Sequence, residues 1–262
     1  MSRTGQNAAD PPPPVERLVR PVMLRAADLA AGHRYPSHRH DWGQLIYAVE
    51  GALRVETQAG NWLAPPQRAV WAPPGVAHAV ATPGPAAFRS LYIAREAAAG
   101  LPDRVTVLEV DALLRELIRA LADLPEAYDE AGPAGRLVSV LLDRLRAAAP
   151  APLHLPLPRD RRLAAIAEAL SRDPADGRTL DQFAAEAGAS ARTLARLFQR
   201  ETGLSFGQWR TRRRLLAAIE RLADGAPVTA IAYDLGYDSP SAFVAMFRRE
   251  TGTTPARFFA AR

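Results

Sequence analysis

The spacing of apolar residues changes twice along the chain, and each change marks a new kind of element. From about residue 15 to residue 93, short β-rich runs alternate with Gly and Pro turns. Residues 45–49, 53–57, 69–72 and 88–93 are the clearest strands, with Glu50-Gly51 and Gly60-Asn61 as turns between them. No long helical period interrupts this stretch, so a small antiparallel barrel or double sheet is its natural closure. Over 105–121 the period lengthens: Leu113, Leu114, Leu117, Ile118 and Leu121 share one helical stripe, and Leu137, Val138, Leu141, Leu142 and Leu145 form another. These two amphipathic helices either cover the barrel or meet a second copy as a dimer interface, and the pattern leaves both readings open. The Pro-rich run 149–158 then reads as a semi-rigid extended linker.

Beyond it the helical period dominates. Val228, Ile231, Ala232 and Leu235 fall at i, i+3, i+4 and i+7, the spacing of one buried helical face. Gly236 breaks that helix, Ser239 is a good N-cap for the next, Pro240 suits its first position, and Phe243, Met246 and Phe247 make its apolar stripe. The small Ala232 permits a close helix crossing, so the stretch reads as a helix-turn-helix. The same pattern occurs earlier: Leu180, Ala184 and Gly188 precede Val228, Ala232 and Gly236 by a constant offset. Ser190, Phe198 and Arg200-Glu201-Thr202-Gly203 precede Ser239, Phe247 and Arg249-Glu250-Thr251-Gly252 by one residue more. Between the units, 208–223 carries Trp209, Leu215, Leu216, Ile219 and Leu222, a helix of roughly 24 Å. With its flanking turns it can hold two recognition helices about one DNA turn apart, ~34 Å.

Charge sharpens this picture. All 33 basic residues are Arg. From Arg159 to Arg262 there are 17 Arg against 12 acids, whereas the residues before them carry 16 of each. The excess of cations belongs to the repeat half, as expected if that half meets a polyanion. Zero Cys excludes disulfides, thiolate metal sites and Cys nucleophiles. The start, 1–14, has no apolar signal region and reads as a disordered tail. Residues 69–88 are uncharged for the length of a membrane span, but Pro73, Pro74, Gly75, Pro83, Gly84 and Pro85 forbid a continuous helix there. A soluble, cytoplasmic protein without membrane contact is expected.

In the first unit, Ser190 caps a helix that offers Arg192, Thr193 and Arg196 outward. Two Arg at i, i+4 project together, and each can donate two hydrogen bonds to guanine, so Arg192 and Arg196 are the candidates for base readout, with solvated surface Arg as the plain alternative. The second recognition helix presents Ser239, Ser241, Ala242 and Ala245 before Arg248 and Arg249, and suits methyl and shape readout. Arg212 and Arg213, with Arg210 and Arg214, suit phosphate contacts, although such a run often means only a solvated face.

These residues carry a resemblance. The segment 159–262, with both helix-turn-helix units (180–201 and 228–250), Arg214-Leu215-x-x-Ala218, G-Y-D-S-P-S-A-F-x-x-x-F-R and G-x-T-P-x-x-F, resembles the AraC/XylS family of bacterial transcription regulators. Residues 15–100 resemble the cupin-like sensor domain attached to many such regulators: His38-x-His40-x3-Gln44-x6-Gly51 parallels the first cupin motif, with Gln44 replacing the usual Glu, and Pro73-x-Gly75-x2-His78 parallels the second. The implied fold is α+β and multidomain: an N-terminal cupin-like antiparallel β-barrel plus helices (101–148), and a C-terminal all-α domain with two helix-turn-helix motifs.

His38 and His40, two apart, point to one strand face, where His78 from another strand can meet them. With the Gln44 carbonyl they can hold a divalent ion such as Zn²⁺, Ni²⁺ or Fe²⁺, weakened by the missing charge of Glu. The other readings are an effector pocket without metal, or ordinary core and surface His, so no cofactor is required. Trp42, Tyr47, Trp62 and Trp71 are candidates for the same lining, and His33 and His154 read as solvated. The expected function is a one-component regulator that binds promoter DNA and a small-molecule effector, as activator or repressor, with RNA polymerase and a second copy as further partners, acting at the nucleoid. The alternative is a metal-dependent cupin enzyme with an accessory DNA-binding-like domain. Gln44 argues against that, as does the lack of a G-x-S-x-G, phosphate-loop or dinucleotide motif.

Overall fold

The computed structural model describes residues 15–258, so the tail expected at 1–14 lies outside the described residues. The chain divides into two compact units, one made of residues up to Thr57 with Trp62–Pro152, the other of Gln58–Asn61 with Leu153 onward. Ten strands form two five-stranded sheets: β1 (Val22–Leu29), β2 (Arg34–His38), β3 (Gly43–Ala48), β4 (Leu53–Thr57), β5 (Gly60–Ala64), β6 (Arg68–Ala72), β7 (His78–Ala81), β8 (Ala86–Ile93), β9 (Thr106–Glu109) and β10 (His154–Pro156). Their orders are β1-β8-β3-β6-β9 and β10-β5-β4-β7-β2. In the first sheet β8 pairs antiparallel with β1 and β3, and β6 with β3 and β9. In the second, β7 pairs antiparallel with β2 and β4.

Strand β3 is buried on both faces, and its alternation sorts two cores. Leu45 and Tyr47 join Trp71, Leu91 and Ile93 in a cluster with Leu114, Ile118 and Leu121 of α1 (Ala112–Leu121) and Val138, Leu141, Leu142 and Leu145 of α2 (Pro133–Ala147). Both helical stripes therefore cover the sheet, except for Leu113, which is exposed. Gln44, on the other face of β3, looks into the space between the sheets. The helix read over 105–121 is shorter than its pattern: 106–109 is strand β9, because Val107 and Leu108 complete the edge of β6, and the helix starts only where the Asp111 side chain accepts from the N–H of Leu114. Residues 149–158 contain β10, whose Leu155 is buried, and the indole N–H of Trp209 donates to Pro156 O at 2.8 Å.

The second unit is helical: α3 (Arg161–Arg172), α4 (Leu180–Glu186), α5 (Ala191–Thr202), α6 (Phe206–Ala223), α7 (Val228–Asp234), α8 (Pro240–Thr251) and α9 (Pro255–Phe258). The sequence repeat builds the same terminator twice. The Thr202 hydroxyl donates to Phe198 O at 2.7 Å and Gly203 takes φ 69°; the Thr251 hydroxyl donates to Phe247 O at 2.8 Å and Gly252 takes φ 77°. Aromatic cores accompany each copy, Phe198 against Phe206 at 5.5 Å and Phe243 against Phe247 at 5.8 Å. Among the described residues no helix is long and apolar enough to cross a membrane.

Candidate nucleic-acid interface and effector pocket

Each helix-turn-helix presents its second helix by local chemistry. In the first, the Ser190 side chain accepts from the N–H of Thr193 and its hydroxyl lies 2.9 Å from that of Thr193, so both side chains serve the start of α5. Leu194, Leu197 and Phe198 are buried, which turns Arg192 and Arg196 outward. Among the described residues neither guanidinium is engaged by a hydrogen bond or ion pair. In the second, Ser239 accepts from the N–H of Ala242, and Phe243, Met246 and Phe247 are buried. A groove on the outer side of α8 is lined by Pro240, Ser241, Val244, Ala245, Arg248, Arg249 and Thr254. Arg248 and Arg249 are exposed, Arg249 lying 3.1 Å from its neighbour Glu250.

The Arg run on α6 has partners within the domain. Arg213 Nη2 donates to Ser171 O at 2.9 Å. Arg210 donates to Arg178 O, and Arg214 to Pro174 O. Arg212 is half-buried, and burial pulls its guanidinium below the usual range despite Glu250 nearby. The physical reason is helical periodicity: residues 210, 213 and 214 share one face, and that face meets the end of α3 and the loop 173–178 after it.

In the sheet unit His38, His40 and His78 come together, each offering a ring nitrogen within 4.8 Å of the others. Their Nδ1 atoms lie 2.9, 2.7 and 2.9 Å from the carbonyl oxygens of Pro36, Trp42 and Val76. A carbonyl only accepts, so the neutral rings carry their proton on Nδ1 and leave Nε2 bare. Burial holds His78 well below the ordinary imidazole range, at about 4, so that ring is neutral at physiological pH. Gln44, buried, places its amide 2.9 and 2.8 Å from Nε2 of His40 and His78, with the other end 2.7 Å from Ser90 Oγ. A side-chain amide donates from one end and accepts at the other. With neutral rings, the consistent orientation points the NH₂ at the two bare nitrogens, while the Ser90 hydroxyl donates to the amide oxygen. One NH₂ supplies two protons for two acceptors, so the His40–Gln44–His78 arrangement closes without an ion. The three imidazoles also fit a divalent ion as donors, their Nδ1–H groups held by carbonyls in the manner of metal-binding His.

Residues 20–145 match the family described as AraC-like ligand binding domain, and residues 183–261 match a helix-turn-helix domain family. The HTH-type transcriptional regulator NimR of Escherichia coli K12 is 37% identical over 225 residues, 86% of this chain and 82% of its own length. The chain belongs to the AraC family of transcription regulators. Regulatory protein SoxS of Salmonella typhimurium is 40% identical over 80 residues, 30% of this chain and 75% of SoxS. The structure of ToxT from Vibrio cholerae aligns over 92% of this chain and 98% of its own at 10% identity, with a TM-score of 0.39.

As an AraC-family protein the chain is a DNA-binding transcription regulator with a ligand-binding domain, and the enzyme alternative falls with that assignment. Within this AraC-type sensor, Trp42 stacks on His40 with ring centroids 5.1 Å apart and planes 8° apart. Tyr47 does not join them. It lies three positions from Gln44, on the opposite face of β3 against the helices, and Trp71 lies there too. His33 is half-buried edge-on to Tyr35 at 4.7 Å rather than solvated, and His154 is half-buried in β10. Sequence reasoning missed Tyr35, Ser90 and Tyr92. Register could have found the last two, since β8 puts Tyr92 opposite Gln44 and Ser90 opposite Ile46 on the same inward face.

Proposed function

We propose that this regulator lays α5 and α8 in successive major grooves of promoter DNA and responds to a small molecule held between its two sheets. The observation that carries the DNA reading is the pair Arg192 and Arg196, one turn apart on the outward face of α5 and without a protein partner among the described residues. In this reading they read guanines, Thr193 and Ser241 add polar contacts, and Arg212, Arg248 and Arg249 meet phosphates. RNA polymerase and a second copy are its further partners, in the bacterial cytoplasm. Full-length protein titrated onto a duplex selected from a randomised pool should lose affinity steeply with salt. Three neutralised phosphates correspond to a log–log slope of about −2.7. A salt-independent affinity would refute DNA binding through this Arg-rich half.

The effector reading rests on polar atoms that find no partner in the described residues: His33 Nε2, Tyr35 Oη and Trp42 Nε1 are buried without one. A ligand with hydrogen-bond acceptors for the indole N–H and the phenol fits that set. His38, His40 and His78 would hold a divalent ion, which would supply a Lewis-acidic anchor for an effector oxygen or nitrogen. Gln44 brings no charge to such an ion and already closes the hydrogen bonding of two of the imidazoles, so metal is not required. Elemental analysis of the purified protein should find less than one ion per chain, and Gln44→Glu should raise both metal content and Co²⁺ affinity by about tenfold or more. One ion per chain retained by the wild type through dialysis against chelator would overturn this.

A further inference from the structure

We infer that Arg214 is a positioning residue that sets the register between the two recognition helices, and hence the half-site spacing that the protein accepts. This rests on the proposal that both α5 and α8 enter DNA. A single helix, α6, joins the two helix-turn-helix units in sequence, and a rod with a turn at each end allows the units to swivel. The structure adds a second tie. From the middle of α6, Arg214 donates through Nε to Pro174 O at 2.8 Å and through Nη2 to Ala175 O at 3.4 Å, in the loop that leads into α4. The same guanidinium lies 5.3 Å from the ring centroid of Tyr237, in the turn between α7 and α8. Tyr237 in turn packs edge-on against Phe243 of α8 at 5.6 Å.

One planar group thus touches the loop that precedes the first unit and the turn inside the second. Arg210 holds Arg178 O at the far end of the same loop and Arg213 holds Ser171 O in the last turn of α3, so the loop is tied at both ends beside Arg214. The turn also approaches the loop directly: a Cβ on Gly236 would lie 2.9 Å from Ala175 O. Loop, α6, α7 and turn therefore close a ring of contacts with Arg214 at its centre, and a closed ring resists swivelling where a lone rod does not. Lys in its place keeps the charge but loses the planar fork that spans the loop carbonyls and reaches the ring at once.

The test uses the full-length protein and duplexes selected from a randomised pool by the wild type, then varied by inserting or deleting one or two base pairs between the two recognised elements. Wild type should bind the altered spacings about tenfold or more worse, since each base pair rotates one element around the helix axis. Arg214→Ala and Arg214→Lys should reduce that discrimination to about threefold or less, with affinity for a short duplex carrying only the α5 element kept within about twofold. Tyr237→Leu, which leaves the loop bonds in place, should weaken the discrimination in the same direction and covers the case in which Arg214→Ala does not fold. Retained tenfold discrimination in Arg214→Lys or Tyr237→Leu would overturn the inference, and so would an equal loss on every duplex, which marks a merely structural role. If the wild type itself shows no spacing dependence, the failure lies with the two-groove reading instead.

Discussion

Gly236→Val is expected to abolish operator binding by the full-length protein and to lower the melting temperature of its C-terminal unit. Gly236 sits at φ 74°, where a β-branched side chain is strained by roughly 1–3 kcal/mol. Space makes the cost larger. Its Cβ would meet Ala175 O at 2.9 Å, Ala175 Cα at 3.2 Å and Arg214 Nη2 at 3.2 Å, and valine adds two methyl groups to that contact. Two of the three neighbours are backbone atoms, which cannot rotate away, so the turn itself must shift. Together these terms come to about 3 kcal/mol or more, enough to displace α8 or unfold the second helix-turn-helix. The check is a thermal melt and a DNA titration beside Gly177→Ala, a position with no atom near the added Cβ. An unchanged melt and unchanged binding for Gly236→Val would show that the turn is not the junction described above.

Arg192→Ala or Arg196→Ala should cost about 1–3 kcal/mol on the selected duplex, a loss of roughly tenfold or more, with little change on unrelated DNA. The reasoning is one of difference. A guanidinium that bridges guanine O6 and N7 contributes only where guanine stands, whereas one that touches phosphate contributes on any sequence. Among the described residues neither guanidinium has a partner, so its removal leaves α5 capped and packed as before. Arg→Lys separates the cases, because Lys keeps the charge and loses the planar fork: a base-reading position suffers and a phosphate position nearly recovers. Each variant is titrated on the selected and on a scrambled duplex at one salt concentration, since affinity on both falls with salt. Equal losses on both, with rescue by Lys, would remove these residues from base readout and shift it to Thr193 and Ser241.

What the chain settles locally was legible in the sequence. Caps, turn glycines and the repeated Arg-Glu-Thr-Gly terminator are decided by residues within four positions of one another, so the two helix-turn-helix units appear in the pattern almost to the residue: the helix expected at 208–223 is α6, Phe206–Ala223. The His38, His40, Gln44 and His78 constellation was legible from its spacing, and the structure does bring the three rings together, although β2 ends at His38 and His40 lies just beyond it rather than on one strand face. Strand alternation also held the answer for Tyr47, which at an odd offset from Gln44 belongs to the opposite face. Only tertiary structure decided the rest. The partners of Arg213 and Arg214 lie 42 and 40 residues away, and Ser90 meets Gln44 across 46. No local rule encodes such pairs, because they depend on which sheet register and which loop path bury the most apolar surface at once. An arginine outward on α6 by composition alone is turned inward by the loop that packs against it, whereas Arg192 and Arg196, with Leu194, Leu197 and Phe198 filling the inner face of their own helix, are turned outward by neighbours the sequence already shows.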